Sequence, residues 1–331
     1  MSSRATIYDV ATRAGVSIST VSLALNAPSR VKSETLERVL AAADELSFVP
    51  KTEAVTRARR GVGRIGVIAP FTSYASFARR LNGVLSAVRG QSSEIVVYDQ
   101  ESAATSVLAS LPLTQRLDGL IVMSLPFSDE VAQRLIDQGV TTVLVEMERP
   151  GFSSVTIDDA AGGRMVAEFL VAKGHERFAY VGEARRQSHP YVLQSEARLA
   201  GFQDGLDRSG RELLETNIRQ VEHTLEAAEA AAGKLLDLPE RPTAIFAHDD
   251  VLASGILKAA AKRRLRIPDD LAVVGFDDSD IAEPLGLTSV RQPLEESGEL
   301  ATETLLAQLA NPRRSLKHIT LKLSLAERTT A

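Results

Sequence analysis

The chain has 331 residues, 24% of them charged and 44% hydrophobic, which is ample for two or three folded domains. It contains no cysteine, so disulfides and thiolate chemistry are excluded, in keeping with a reducing cytoplasm. No apolar run approaches the roughly 18 residues of a membrane span. Met1-Ser2-Ser3-Arg4 leads straight into a polar helical pattern without an apolar leader, so neither a membrane anchor nor secretion is expected, and a cytoplasmic location is. The formal charge of −5 is unevenly spread: residues 1–64 hold ten Lys and Arg against six Asp and Glu, and the remainder is acidic. A basic head on an acidic body suits a head that meets phosphate, although a stretch this short can be basic by chance.

The first helix carries Ile7, Val10, Ala11 and Ala14 at helical spacing. Thr6 can cap it, and Asp9 favours its positive start. Gly15 then stands where a left-handed position suits glycine. Ser17 can cap a second helix, with Val21 and Leu25 facing inward and Ile18, Ser19, Ser22 and Leu23 outward. A third helix follows, with Ser33 as its cap and Leu36, Val39, Leu40, Ala43 and Leu46 as its buried stripe. Three such helices can hold the second in a DNA major groove; the alternative is a small helical domain for protein contact.

Residues 50–64 form a basic stretch containing Arg57, Arg59, Arg60 and Arg64. From there on, short apolar runs alternate with amphipathic ones. Strands are expected over 65–69, 94–98, 119–123, 142–145, 155–157, 178–181, 244–247 and 271–276, and a last one over 319–325. Helices are expected near 75–89, 128–138, 158–173, 191–208, 224–237, 249–264 and 293–309. The alternation predicts an α/β body of parallel sheets with helices on both faces. Its restart near residue 160 predicts two similar lobes.

The run Thr6-Ile7-Tyr8-Asp9-Val10-Ala11, Ala14-Gly15-Val16-Ser17, Thr20-Val21-Ser22, Leu25-Asn26 and Val49-Pro50 closely resembles the LacI/GalR family of bacterial transcription regulators. The likeness continues through Gly119-Leu120-Ile121-Val122, Ile157-Asp158, Gly174-His175, Arg198-Leu199-Ala200-Gly201-Phe202, Val274-Gly275-Phe276-Asp277-Asp278, Ser289-Val290-Arg291-Gln292-Pro293 and Glu327-Arg328. It implies a three-helix helix-turn-helix head over 1–49, a hinge over 50–63, and a two-lobed type-I periplasmic-binding-protein-like body over 64–331 for effector binding and dimerisation. By the same resemblance Thr6, Tyr8, Ser17, Thr20, Ser22 and Asn26 contact the DNA backbone, which sets register but carries little sequence information. Ile18, Ser19 and Leu23 fall at base-reading positions. Leucine cannot form a bidentate bond to guanine but can touch a thymine methyl, so an operator departing from the common family site is expected. In the hinge, Arg57 stands where the family places a leucine that wedges into the minor groove. An arginine can instead enter a narrow minor groove, or the stretch is simply a solvated basic linker.

Ligands of doubly wound sheets sit beyond the carboxyl ends of the strands. Matching to the family gives Phe71, Ser124, Glu146, Arg198, Asp249 and Asp277 as effector-binding candidates. Arg198 can fork onto vicinal hydroxyls or a carboxylate, and Asp249 and Asp277 can accept from sugar hydroxyls. Phe71, and less so Phe127 or Phe246, offers an apolar face. Each has a plainer reading: Asp277 and Asp278 as turn caps, Arg198 as a salt bridge between lobes, Glu146 as an exposed strand end, the phenylalanines as core. Three acids and one arginine favour a neutral polyhydroxylated ligand. No cofactor is expected. His175 reads as a packing or helix-end residue, and His189, His223, His248 and His318 lack metal-ligand spacing. No Walker, GxGxxG or GxSxG pattern occurs, and Ser188-His189 and His248-Asp249-Asp250 do not add up to a catalytic set.

The leading expectation is therefore a repressor that binds a pseudo-palindromic double-stranded operator as a homodimer, under allosteric control by a small effector, most simply a sugar, held between the two lobes. A solute-binding protein of the same body fold and a sugar-modifying enzyme are the alternatives. No leucine heptad tail precedes Thr330-Ala331, so a dimer is expected rather than a coiled-coil tetramer.

Overall fold

A computed structural model describes residues 5–26, 30–46, 48, 63–91, 93–100, 117–184 and 194–331. The head consists of α1 (Ile7–Ala14), α2 (Ile18–Asn26) and α3 (Ser33–Glu45). Thr6 donates through its backbone N and its Oγ1 to Asp9 Oδ2, at 2.7 and 2.6 Å, which fixes the start of α1. Gly15, at φ 65°, ends it: Val16 N donates to Ala11 O at 3.1 Å and Gly15 N to Thr12 O at 3.3 Å, a left-handed closure that needs no Cβ. Ser17 Oγ accepts from Thr20 N at 3.1 Å and so caps α2 as expected. Ser33, in contrast, is the first helical residue of α3, and the capping carbonyl belongs to Lys32, which accepts from Leu36 N at 2.9 Å. Val10, Ala11, Ala14, Val21, Ala24, Leu25, Val39, Ala42, Ala43 and Phe48 form the head's core, with Leu36, Leu40 and Leu46 packed against it.

The whole chain divides into two compact units, one comprising residues 1–72, 84–154 and 299–318, the other 73–83, 155–298 and 319–331. One six-stranded sheet, its first four strands in the first unit, is built from β1 (Gly63–Ala69), β2 (Ser93–Asp99), β3 (Gly119–Met123), β4 (Thr141–Val145), β5 (Ser153–Ile157) and β11 (His318–Leu321), with residues 155–157 and 319–321 of the last two counted in the second unit. Their order is β2-β1-β3-β4-β5-β11, and β2, β1, β3 and β4 run parallel. The second sheet uses β6 (Phe178–Glu183), β7 (Ile218–Val221), β8 (Ala244–Ala247), β9 (Ala272–Asp277), β10 (Thr288–Arg291) and β12 (Ser324–Ala326). Its order, β7-β6-β8-β9-β10-β12, repeats the same doubly wound scheme, parallel except for β10 against β12.

The helices between the strands are α4 (Ala75–Ala87), α5 (Asp129–Asp137), α6 (Asp159–Ala172), α7 (Gln194–Arg208), α8 (Leu225–Leu236), α9 (Asp250–Lys262) and α10 (Leu294–Ala310). Strand alternation builds two cores in the second unit. Ala179, Val181, Ile245, Ala247 and Val273 face α8 and α9; Phe178, Tyr180, Phe246, Val274 and Phe276 face α6 and α7. Each fully buried aromatic or large aliphatic contributes about 1.5–3 kcal/mol. Two close crossings decide where the site residues fall. A Cβ on Gly163 of α6 would lie 2.1 Å from Arg198 O, and one on Gly201 of α7 would lie 1.9 Å from Ala160 O. Only glycines at both positions let α7 pass close enough to α6 to bring Arg198 beside Asp159.

Sequence and structure differ at three strands. β7 and β10 were not expected as strands, and the last strand is two: β11 ends at Leu321, β12 starts at Ser324, and the two belong to different sheets. Among the described residues no helix is long and apolar enough to cross a membrane.

Candidate functional site

On the head, the candidate DNA-contacting residues cluster around the α1–α2 turn. Tyr8 is 65% exposed, and Ser17, Ile18, Ser19, Ser22 and Leu23 are also exposed. Thr6 and Thr20 are half-buried. Tyr8, Ala11, Thr12, Gly15, Val16, Ser17 and Ile18 line an open depression there. Ser17 Oγ lies 2.7 Å from Ser19 Oγ and 2.8 Å from Thr20 Oγ1, so three hydroxyls at the start of α2 share hydrogen bonds. The Asn26 side chain, Val49-Pro50, Arg57 and Ser188-His189 lie outside the described residues.

In the second unit the strand order reverses between β6 and β8, where ligands of such sheets bind. Glu183 ends β6, and His248 and Asp249 follow β8. Arg198, almost fully buried, lies beside them: its Nε donates to Asp159 Oδ1 at 2.8 Å and its Nη1 to His248 O at 2.7 Å, with Asp277 Oδ1 at 3.7 Å. Its guanidinium carbon sits 3.6 Å from the centre of the Phe276 ring. Asp249 caps α9 by accepting from Leu252 N at 2.9 Å and is hydrogen-bonded to His223 Nε2. Burial opposes the charge on both members of this pair. Their mutual attraction prevails, lowering the Asp249 carboxyl well below the usual range and raising His223. The His223 ring stacks on Tyr74 at 4.1 Å, and Tyr74 Oη donates to Glu183 Oε1 at 2.9 Å.

Three further groups are set by burial. His248, buried and beside Arg198, is pushed down to about 3, so its imidazole is neutral, and its Nδ1 is buried without a hydrogen-bond partner. Asp250 is pushed up to about 7 by burial and by Asp277, although Ser279 N and Ser289 Oγ both donate to it at 2.6 Å. Burial also raises Asp277, against the pull of Arg198, and Gln292 Nε2 donates to it. The second unit thus brings Arg198, Asp249 and Asp277 into one network. His223, His248, Tyr74, Glu183, Asp159 and Gln292 are members that the sequence reading did not single out. Two of them had a visible signal: His248 in the His248-Asp249-Asp250 triplet at a strand end, and Gln292 in the Ser289-Val290-Arg291-Gln292-Pro293 string.

In the first unit Phe71 follows β1, Ser124 follows β3 and Glu146 follows β4, all three buried. Ser124 has φ 51° and Glu146 φ 62°, while Asp277 in the second unit has φ 98°. Left-handed backbone at non-glycine residues is costly and gathers at ligand sites. Glu146 is not the exposed strand end of the plainer reading. Phe246 is core, packed among Tyr180, Phe202 and Phe276. Phe127 meets Phe152 edge-on and lies under Arg149.

Comparison with known proteins places both parts of the chain. The model of bacterial regulatory proteins of the lacI family matches residues 6–51, and that of the periplasmic binding protein-like domain matches 167–331. The HTH-type transcriptional regulator DegA of Bacillus subtilis is 30% identical over 306 residues, covering 89% of this chain and 88% of that protein. The chain belongs to the LacI family. It is also 31% identical over 314 residues to the HTH-type transcriptional repressor CytR of Escherichia coli, covering 92% of this chain and 90% of CytR. A solved complex of the transcriptional regulator CelR with cellobiose aligns at TM-score 0.70 and 27% identity over 99% of this chain and all of that one. This LacI-family protein is accordingly a DNA-binding transcriptional regulator, not an enzyme.

Proposed function

We propose that this LacI-family regulator is a repressor whose hold on its operator is governed by a small, neutral, polyhydroxylated effector, most simply a sugar. The observation that carries this reading is the buried strand-end network of Arg198, Asp249, Asp277 and His223. There one guanidinium and the His223 imidazole, held toward its protonated form by Asp249, face carboxylates that can accept from hydroxyl groups. Two basic side chains, Arg198 and His223, stand against the carboxyl groups of Asp159, Asp249, Asp277 and Glu183, an acidic excess that favours a ligand bringing hydroxyls over one bringing a phosphate. Left-handed backbone at Ser124, Glu146 and Asp277 adds support, as do CelR, solved with cellobiose, and CytR, named a repressor.

In this reading residues 1–49 bind DNA, 50–63 form the hinge with Arg57 on phosphate or in the minor groove, and 64–331 bind effector and pair two subunits on a pseudo-palindromic operator. Effector and operator then change each other's affinity by the same factor. A gel shift on the intergenic DNA upstream of the gene, with and without a panel of sugars, tests it. A retarded band that one sugar abolishes or strengthens is expected. A band unmoved by any sugar in the panel argues against sugar control, and no band under any condition argues against the reading as a whole.

A further inference from the structure

For a helix proposed to read bases, α2 carries short hydroxyls and one asparagine but no charged or long polar side chain. No residue of Ile18–Asn26 is charged. Two aliphatic side chains are exposed on it, Ile18 at 42% and Leu23 at 37%. Of the serines beside them, Ser19 already shares its hydroxyl with Ser17. At about 100° and 1.5 Å per residue, Ile18 and Leu23 stand roughly 140° apart around the axis and about 7.5 Å apart along it. They therefore flank the face, with Ser19 and Ser22 between them.

Bidentate reading of guanine calls for Arg or Lys, and α2 has neither. An exposed aliphatic group in the major groove can gain from only one feature of the base edges, the thymine C5-methyl. The axial separation is about two base-pair steps of ~3.4 Å. Exposed Arg30, Lys32 and Arg38 lie nearby in the chain and supply charge for phosphate, which leaves the aliphatic pair to discriminate sequence. We infer that α2 reads A·T pairs by thymine methyl groups, with Ile18 and Leu23 each covering one, about two pairs apart in every half-site. The inference rests on the DNA binding of the family and specifies what that binding reads.

The test uses the full-length protein. In vitro selection from random duplexes supplies the operator. Each thymine of a half-site is then replaced singly by uracil, which removes the methyl and keeps the pairing and the O4 acceptor. Affinity should fall about four-fold at each of two thymines, the equivalent of about 0.8 kcal/mol per methyl. Leu23→Ala should erase the thymine–uracil difference at one of them and Ile18→Ala at the other, each leaving the remaining difference intact. Equal affinity for thymine and uracil at every position overturns the inference while leaving DNA binding untouched. So does a guanine selected at the position that Leu23→Ala relaxes. Failure to bind any selected duplex overturns both.

Discussion

Arg198→Met separates two roles that one side chain can play. Methionine keeps much of the length and can lie on Phe276, but it takes the Arg198 guanidinium away from Asp159 and Asp277 and the 2.7 Å donor from the His248 carbonyl. The side chains of Arg198, Asp159 and Asp277 are 4, 13 and 11% exposed, so water cannot compensate. Removing one partner of such a buried pair costs about 3–5 kcal/mol. In a unit of this size each kcal/mol lowers the melting midpoint by roughly 2–4 °C, so a fall of about 6–20 °C is expected for the ligand-free protein. Calorimetry without effector measures it. Arg198→Met combined with Asp159→Asn should recover part of the loss, because the stranded carboxylate is then neutral. A ligand-free midpoint within about 2 °C of the parent, with only the effector response lost, would refute the structural role and leave Arg198 as a ligand contact alone.

Gly201→Ala should destabilise the protein by at least the ~1–3 kcal/mol of an overpacked core, because its Cβ would meet the Ala160 carbonyl and force α7 off α6; a urea midpoint equal to the parent's contradicts this. The His223–Asp249 pair gives a pH signature. His223 is raised in the folded state, so its stabilisation is complete below the unfolded histidine pKa of about 6.5 and lost as pH rises through the folded value. His223→Gln should flatten that decline in melting temperature, whereas parallel pH profiles would dismiss it. Asp250, at about 7, favours the neutral form in the fold, so its contribution weakens from about pH 4 to 7; in titration by NMR its carboxyl carbon should shift near neutrality rather than near pH 4. Arg57→Ala should weaken operator binding and lower the slope of log K against log salt by about 1, and an unchanged slope removes Arg57 from the phosphates.

The sequence made the α/β alternation plain because each central strand is a near-continuous apolar run, as buried parallel strands are. It hid β7 and β10 because neither has such a run. Ile218–Val221 is a half-buried edge with Arg219 and Gln220, and Thr288–Arg291 has one bulky apolar residue. The split at Lys322-Leu323 was invisible because both flanking segments alternate with the same period. The strand-end positions of Ser124, Glu146 and Asp249 were legible, because each follows an apolar run. It was not legible for pairs made by tertiary structure: His223 reaches Asp249 from 26 residues away and Tyr74 reaches Glu183 from 109. Nor could sequence tell that Arg198 is tied to Asp159 and a carbonyl, since that depends on the Gly163 and Gly201 crossings.

The two body units are each assembled from separated stretches of chain: the first needs residues 299–318 beside 63–72 and 84–154, and the second needs 73–83 as well as 319–331. The first cannot be complete on the ribosome until residue 318 has emerged, nor the second until residues 319–331 have. The head closes its own core by Phe48. Domains fold as they emerge, N-terminal first. During every round of synthesis, then, the three-helix head is finished before either body unit is complete. Under the effector control proposed for the body, a nascent or truncated chain carries the DNA-binding head without the part that would regulate it.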